Sequence, residues 1–198
     1  MKGESGARFA NTRFAPRLAG FSGFGAFARL GVLMLVVATA TLNARAESVA
    51  ALSALKAAYV VHFLNLIRWE SRGPSLEFCL VGKSDAGDRM RTMLQDKRVH
   101  GQSVRVRTIA RNDERGQRCD ALYIPESATA YASAVLKRYE STATVTISDV
   151  ADFTHDGGII GFVVVEDRLR FDINERAAAR KRLKISAKLL ELARRVIR

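Results

Sequence analysis

The chain has 198 residues and a formal net charge of +12, and 48% of its residues are hydrophobic. Nucleic acid is the usual partner of so basic a protein, but no basic stretch is interleaved with aromatic side chains that stack on bases. Residues 47–198 carry 26 Lys and Arg against 19 Asp and Glu, so much of the charge excess lies at the amino terminus. We therefore expect no nucleic-acid partner, and a domain whose charge favours anionic lipid or an acidic protein.

The first 46 residues have the pattern of a signal peptide. Basic residues precede the apolar run 30–40, and they are Lys2, Arg8, Arg13, Arg17 and Arg29. Ala44-Arg45-Ala46 then offers a small-x-small cleavage site. The apolar run is shorter than the roughly 20 residues of a spanning helix, although an uncleaved anchor remains the alternative. The sequence predicts an exported protein with a leader at 1–46 and one domain at 47–198.

Cys79 and Cys119 are the two cysteines of the chain, and both lie in the predicted mature part. In an oxidising compartment an even number of cysteines favours a disulfide. A bridge across this separation stabilises a domain by about 4 kcal/mol in the chain-entropy model. Two buried free thiols are the alternative interpretation.

The predicted mature chain opens with a long helix that has two apolar faces. One face repeats at helical spacing through Leu52, Leu55, Tyr59, Phe63 and Leu66. The second face consists of Val60, Leu64 and Ile67. We expect the helix to end at Arg72-Gly73-Pro74. A helix that is apolar on two sides is either enclosed by the fold or exposed for docking, and here it also allows for a homodimer.

Strands and helices alternate after this helix. We predict strands at 78–81, 104–107, 121–124 and 144–147, with one helix from Ser84 or Asp85 to about Gln95 and another over 130–139. Strict alternation of apolar and basic residues makes 104–107 an edge strand. This order predicts an α/β fold, a mostly parallel doubly wound sheet flanked by helices. A Cys79–Cys119 bridge would make the first and third strands neighbours, which gives the order 2-1-3-4.

The last third of the chain predicts an antiparallel hairpin and two more helices. The hairpin joins an apolar strand at 159–165 to a return strand at 169–173. Asn174 is expected to cap a short helix that begins at Glu175. A final helix opens at Ser186 and continues to Val196, with Leu189, Leu192 and Val196 on one face.

Two segments are candidates for sites of chemistry. Val81-Gly82-Lys83-Ser84 follows a strand as a phosphate loop does, but Glu77 stands where that loop needs a glycine. The segment 149–158 gathers polar groups at spacings that fit neither a calcium loop nor a zinc helix, and these are Asp149, Asp152, His155 and Asp156. We interpret both segments as capped turns, and we expect neither an enzyme nor a cofactor or metal.

Three carboxyl-terminal blocks carry a resemblance to a known family. They read FTHDGGIIGF at 153–162, LRFDIN at 169–174 and LKISAKLLELA at 183–193. Their order and spacing closely resemble the YfiR-like periplasmic regulators, and the similarity extends over residues 52–196. The resemblance implies a periplasmic domain that binds and represses an inner-membrane diguanylate cyclase and so tunes cyclic di-GMP. It also implies the Cys79–Cys119 disulfide, while the second cysteine pair of the founding regulator is missing here.

Six residues near the first and last helices are candidates for contact with a partner or an anion. They are Arg68, Trp69, Arg170, Lys184, Ser186 and Lys188. If the two helices lie close, these residues combine fixed donors with an aromatic platform for an acidic loop or an anionic ligand. The alternative is a helix packed by Trp69 beside unrelated basic residues. The alternative function is a periplasmic sensor or carrier of small anions that acts on another receiver, such as a sensor kinase.

Overall fold

A computed structural model describes residues 47–69, 73–112 and 116–198, and the predicted leader lies outside them. The first half of the described chain contains α1 (Glu47–Leu66), β1 (Ile67–Trp69), β2 (Ser75–Val81), α2 (Asp85–Leu94), β3 (Arg98–Val99), β4 (Gln102–Ile109) and β5 (Ala121–Ile124). A 3-10 turn (Glu126–Ala128) leads into α3 (Thr129–Arg138), β6 (Val145–Ser148), β7 (Ile160–Val165), β8 (Arg168–Asn174), α4 (Glu175–Arg180), β9 (Leu183–Ile185), α5 (Ala187–Leu192) and β10 (Arg195–Ile197).

The strands form one large sheet and one small ribbon. The large sheet has the order β10-β8-β7-β6-β5-β2-β4-β3, while β1 pairs with β9 in a separate two-stranded ribbon. Strands β4, β2, β5, β6 and β7 run parallel to one another, and β8 returns antiparallel to β7. The predicted α/β sheet and its carboxyl-terminal hairpin are thus confirmed. The predicted order 2-1-3-4 is confirmed as well, because those four strands are β4, β2, β5 and β6 of the structure.

A disulfide joins Cys79 on β2 to Cys119 just before β5, with the two Cα atoms 5.8 Å apart. The bridge spans two adjacent strands, since Cys79 lies in register with Leu122 of β5. The structure therefore contains both the bridge and the strand neighbourhood that the cysteine positions predicted together. The predicted edge strand also lies at the edge, because β3 pairs only with Gln102 and Ser103 and leaves 104–107 without an outer strand in the described part of the chain.

Helices cover both faces of the sheet, as the continuous apolar strands require. On one face α1 and α2 bury Phe63, Leu64 and Met90 against the side chains of the central strands. On the other face α3 buries Val135 and Tyr139 beside the disulfide. Length and composition would allow α1 to cross a membrane. Its inner side belongs to the core of this domain, while Val49 and Leu55 are exposed, so packing accounts for only part of the hydropathy of α1.

The structure contains the predicted amino-terminal caps of α2 and α4. Ser84 caps α2 by accepting a hydrogen bond from the Gly87 amide at 3.1 Å, which supports the interpretation of the Gly82-Lys83-Ser84 segment as a turn. Asn174 caps α4 by accepting from the Ala177 amide at 2.8 Å. Both caps satisfy amides that the first helical turn leaves without a partner.

Two predicted helices end earlier than their apolar spacing suggested. The first was expected to reach residue 72, but it ends at Leu66, because Ile67 and Trp69 turn inward as strand residues while Arg68 stays exposed. The final helix was expected to reach Val196, but it ends at Leu192 and the chain continues as β10. There the open edge of β8 supplies hydrogen-bonding partners for the backbone of this segment. The first of these hydrogen bonds is donated by the Arg194 amide to the Phe171 carbonyl of β8, at 2.8 Å.

A candidate docking surface between the first and last helices

The β1–β9 ribbon positions two of the predicted basic residues. In its antiparallel register Arg68 lies opposite Lys184, while the flanking pairs are Ile67 with Ile185 and Trp69 with Leu183. Both basic side chains are exposed, since the short strands alternate between core and solvent. Like charges placed directly opposite each other repel. The ribbon thus concentrates positive charge at one point of the surface.

Ser186 completes a small hollow beside this pair. Its amide donates to the Leu66 carbonyl at 3.0 Å, and its hydroxyl oxygen accepts from the Leu189 amide at 3.2 Å as the cap of α5. Arg68, Lys184 and Ser186 all line a hollow of about 190 Å³. Three of the six predicted residues are therefore brought together, although the serine hydroxyl already serves α5.

Trp69 does not provide the aromatic platform that the sequence predicted. Its side chain is only 6% exposed, and its indole N–H donates to the Asp120 carbonyl at 2.9 Å. The alternation of β1 turns the indole inward whenever Arg68 faces solvent. Trp69 is thus a core residue that anchors the ribbon to the large sheet, which is the alternative that the sequence left open.

Arg170 lies apart from the hollow. Its neighbour Phe171 packs on Tyr59 and Phe63 of α1, with ring centroids 5.6 and 4.8 Å away. Successive side chains of a strand point to opposite faces, so Arg170 faces away from α1. Its cross-strand partner is Val163. The structure therefore does not unite Arg170 with Arg68 and Lys184.

Lys188 stands on the rim of an apolar groove between α1 and α5. The groove has a volume of about 350 Å³, and its lining includes Tyr59, His62, Phe63, Leu66, Phe171, Leu189 and Leu192. Leu192 is 60% exposed, a larger fraction than for any other large apolar side chain in the described part of the chain. Helices α1 and α5 do lie close, as the sequence hypothesis required.

The sequence patterns predict only some of the residues that line this groove. The stripe through Tyr59, Phe63 and Leu66 was recognised as one face of α1, and the exposure of such a helix was considered. The sequence predicts a longer final helix with Leu189, Leu192 and Val196 on one face, whereas the helix ends at Leu192 and this side chain lines the groove. Phe171 could not be placed by spacing alone, since strand alternation does not show which helix covers the strand.

The polar groups at the carboxyl ends of β5 and β6 hold α1 in place. Asp149 accepts from Lys56 of α1, from the Tyr123 hydroxyl at 2.9 Å and from the Glu126 amide at 2.7 Å. Burial raises the pKa of Tyr123, and the charge and hydrogen bond of Asp149 raise it further. The phenol therefore stays protonated and donates to the carboxylate.

His155 does not join Asp149. Its ring Nε2 lies 3.2 Å from Arg195 of β10, whereas the oxygens of Asp149 are held by Lys56, Tyr123 and Glu126. Within the described residues no group of three metal-ligating side chains occurs. Asp149 and His155 of the segment 149–158 therefore contact α1 and β10, respectively, and Asp149 also caps the 3-10 turn at Glu126.

The fold and these surfaces define a doubly wound α/β domain whose α1–α5 face combines an apolar groove with a basic hollow. A family model described as YfiR/HmsC-like matches residues 53–194. The chain belongs to the YfiR/HmsC-like family. No curated protein matches the chain.

Proposed function

We propose that this chain is a periplasmic regulatory protein that binds and represses an inner-membrane diguanylate cyclase. Membership of the YfiR/HmsC-like family supports a periplasmic regulator. The observation that carries the proposal is the groove of Tyr59, Phe171 and Leu192 beside the basic hollow. The cyclase's periplasmic portion would seat an apolar side chain in the groove and an acidic segment on Arg68 and Lys184.

The groove supplies the affinity in this proposal. Interface energy concentrates in a few apolar anchors that fill well-packed pockets, and the rings around this groove form a rigid floor. Tyr59 and Phe63 contact Phe171 edge-on, so the floor is fixed before a partner arrives. A preformed site costs less ordering entropy on binding than a flexible one.

The basic hollow supplies orientation. Arg68 and Lys184 repel each other in the free protein, so an acidic side chain that docks between them relieves an unfavourable contact. Lys188 extends the positive charge along the rim of the groove. Exposed charges of this kind mainly steer association and fix the register of a complex, while the apolar contacts set its lifetime.

Capture from membranes tests the proposal. The protein is produced from the full chain, recovered from the envelope and tagged, and solubilised membranes of its own organism are passed over it. We expect retention of a membrane protein with a periplasmic portion and a cyclase portion. Leu192→Asp should reduce its retention about tenfold or more, because a charge replaces an apolar anchor.

Tyr131→Asp is the matched control, since Tyr131 is also an exposed large side chain but lies on α3. It should retain the cyclase as the unchanged protein does. Equal loss in both variants would contradict the role of the groove. Recovery of a sensor kinase in place of a cyclase would contradict the proposal that the partner is a cyclase, but it would still support a regulatory role. Failure of the folded protein to retain any membrane protein would contradict the proposal as a whole.

A further inference from the structure

A second concave surface lies on the α3 face of the sheet. It is a cleft of about 510 Å³ between α3, the segment 150–157 and the end of α4. We call it the α3 cleft and define it by Leu136, Lys137, Phe153, Arg180 and Lys181, which belong to its lining. Its volume falls in the range of small-molecule sites. The α3 cleft is separate from the α1–α5 groove, with which it shares no lining residue.

The cleft combines an apolar base with a charged rim. Phe153 and Val150 belong to the buried cluster under α3, and the partly buried Leu136 packs against that cluster. Lys137 and Arg180 are exposed at the mouth, and in the described chain neither has a carboxylate within ion-pair distance. This division into an apolar base and a charged rim suits a ligand that has both an apolar part and a charged group.

Lys181 brings positive charge deeper into the cleft. Its ammonium donates to the carbonyls of Tyr139 and Glu140, which end α3. Burial lowers the pKa of Lys181, and the charge of Arg180 lowers it further, while the Glu140 carboxylate acts in the opposite direction. Two neighbouring cations of which one is partly desolvated favour an anion between them.

The sign of the charge on the expected ligand follows from this arrangement. Glu140 and Asp156 also line the cleft, but three cations outnumber these two carboxylates. We propose that the α3 cleft binds a small amphipathic carboxylate, with its hydrocarbon part on Phe153 and Leu136 and its charge between Arg180 and Lys181. This site is independent of the proposed docking of a cyclase and would give the protein a soluble ligand.

Three probes of matched shape test the proposal. The protein, produced from the full chain and recovered from the envelope, is labelled with ¹⁵N and titrated with 4-tert-butylbenzoate, its neutral amide and 4-tert-butylbenzylamine. We expect saturable shifts with the benzoate at the amides of Lys137, Gly157 and Lys181, and much weaker binding of the amide and the amine. Gly157 lines the α3 cleft and lines neither the α1–α5 groove nor the basic hollow, so its amide distinguishes this site from those two.

Two variants separate charge from shape. Arg180→Gln should weaken benzoate binding about three- to fivefold, the usual worth of an exposed ion pair, whereas Arg182→Gln, outside the cleft, should leave it unchanged. Ser133 is exposed and lines the cleft, so Ser133→Tyr should fill it and abolish binding, with Ala134→Tyr as its control. Binding of the amine or amide as tight as that of the benzoate, unaltered binding in Ser133→Tyr, or the lack of saturable benzoate binding would overturn the proposal.

Discussion

Arg68 of β1 lies directly opposite Lys184 of β9, so the small ribbon that links the first helix to the last pairs two cations across its strands. Cross-strand neighbours of like charge are destabilising. The protein keeps this unfavourable pair beside a hollow that also includes Ser186. Local rules of this kind are usually broken where a surface serves a function, and the proposed acidic partner would relieve the repulsion.

Removal of one charge should therefore act oppositely on stability and on binding. Lys184→Gln is expected to raise the free energy of unfolding by about 0.3 kcal/mol at low salt and to weaken capture of the cyclase. Lys83→Gln removes an exposed charge away from the ribbon. It should change neither the free energy of unfolding nor the capture of the cyclase. Urea denaturation and membrane capture measure the two effects. A Lys184→Gln protein that unfolds more easily, or that binds the cyclase as before, would contradict this role.

The disulfide should make a large contribution to the net free energy of unfolding. Replacement of Cys79 and Cys119 by alanine opens a loop closed over 40 residues and should lower the free energy of unfolding by about 4 kcal/mol. Chemical denaturation with and without reductant is the measurement. Reduction should lower the free energy of unfolding of the unchanged protein by a similar amount. It should not change the free energy of unfolding of the double variant. Equal stability of the oxidised protein and the double variant would argue against a bridge.

Tyr123 should make the protein sensitive to alkali. Its pKa is raised in the folded state, so the folded protein keeps a proton that the unfolded chain releases above roughly pH 10. The stabilisation is fully present below that pH and is lost as the pH rises, by about 1.4 kcal/mol per pH unit for one proton.

Tyr123→Phe isolates this contribution. At neutral pH the variant should be about 1 to 2 kcal/mol less stable, because Asp149 loses one donor. Between roughly pH 10 and 11 its stability should fall less steeply than that of the unchanged protein. Tyr131→Phe changes an exposed tyrosine and serves as the control. Parallel stability curves for Tyr123→Phe and the unchanged protein would contradict the raised pKa.

Local signals predicted the large sheet well, because the central strands β2 and β5 contain the continuous apolar runs 78–81 and 121–124 between turns. The positions of Cys79 and Cys119 added the one long-range relation that fixed the order of the strands. The caps at Ser84 and Asn174 were visible because they depend on neighbouring residues alone. These features could be derived from the sequence since no distant segment competes with them.

The errors occurred where a distant backbone competes with helical spacing. Ile67 continues an apolar face of the predicted first helix, but residues 183–185 of β9 pair with Ile67 and Trp69 from a distant part of the chain, and the ribbon forms. Val196 likewise fits the final helix, but the free edge of β8 captures it. Neither partner strand is apparent from local periodicity, which is why Trp69 was expected at the surface and the α1–α5 groove was described only in part.

The central claim is that the α1–α5 groove carries repression of a cyclase, and the cellular concentration of cyclic di-GMP tests it most directly. In cells that lack this protein, its restoration should lower cyclic di-GMP. Leu192→Asp, present at the same level in the envelope, should leave the concentration high, while Tyr131→Asp should lower it as the unchanged protein does. A cyclic di-GMP concentration that does not respond to the unchanged protein, or that Leu192→Asp lowers equally, would contradict the account.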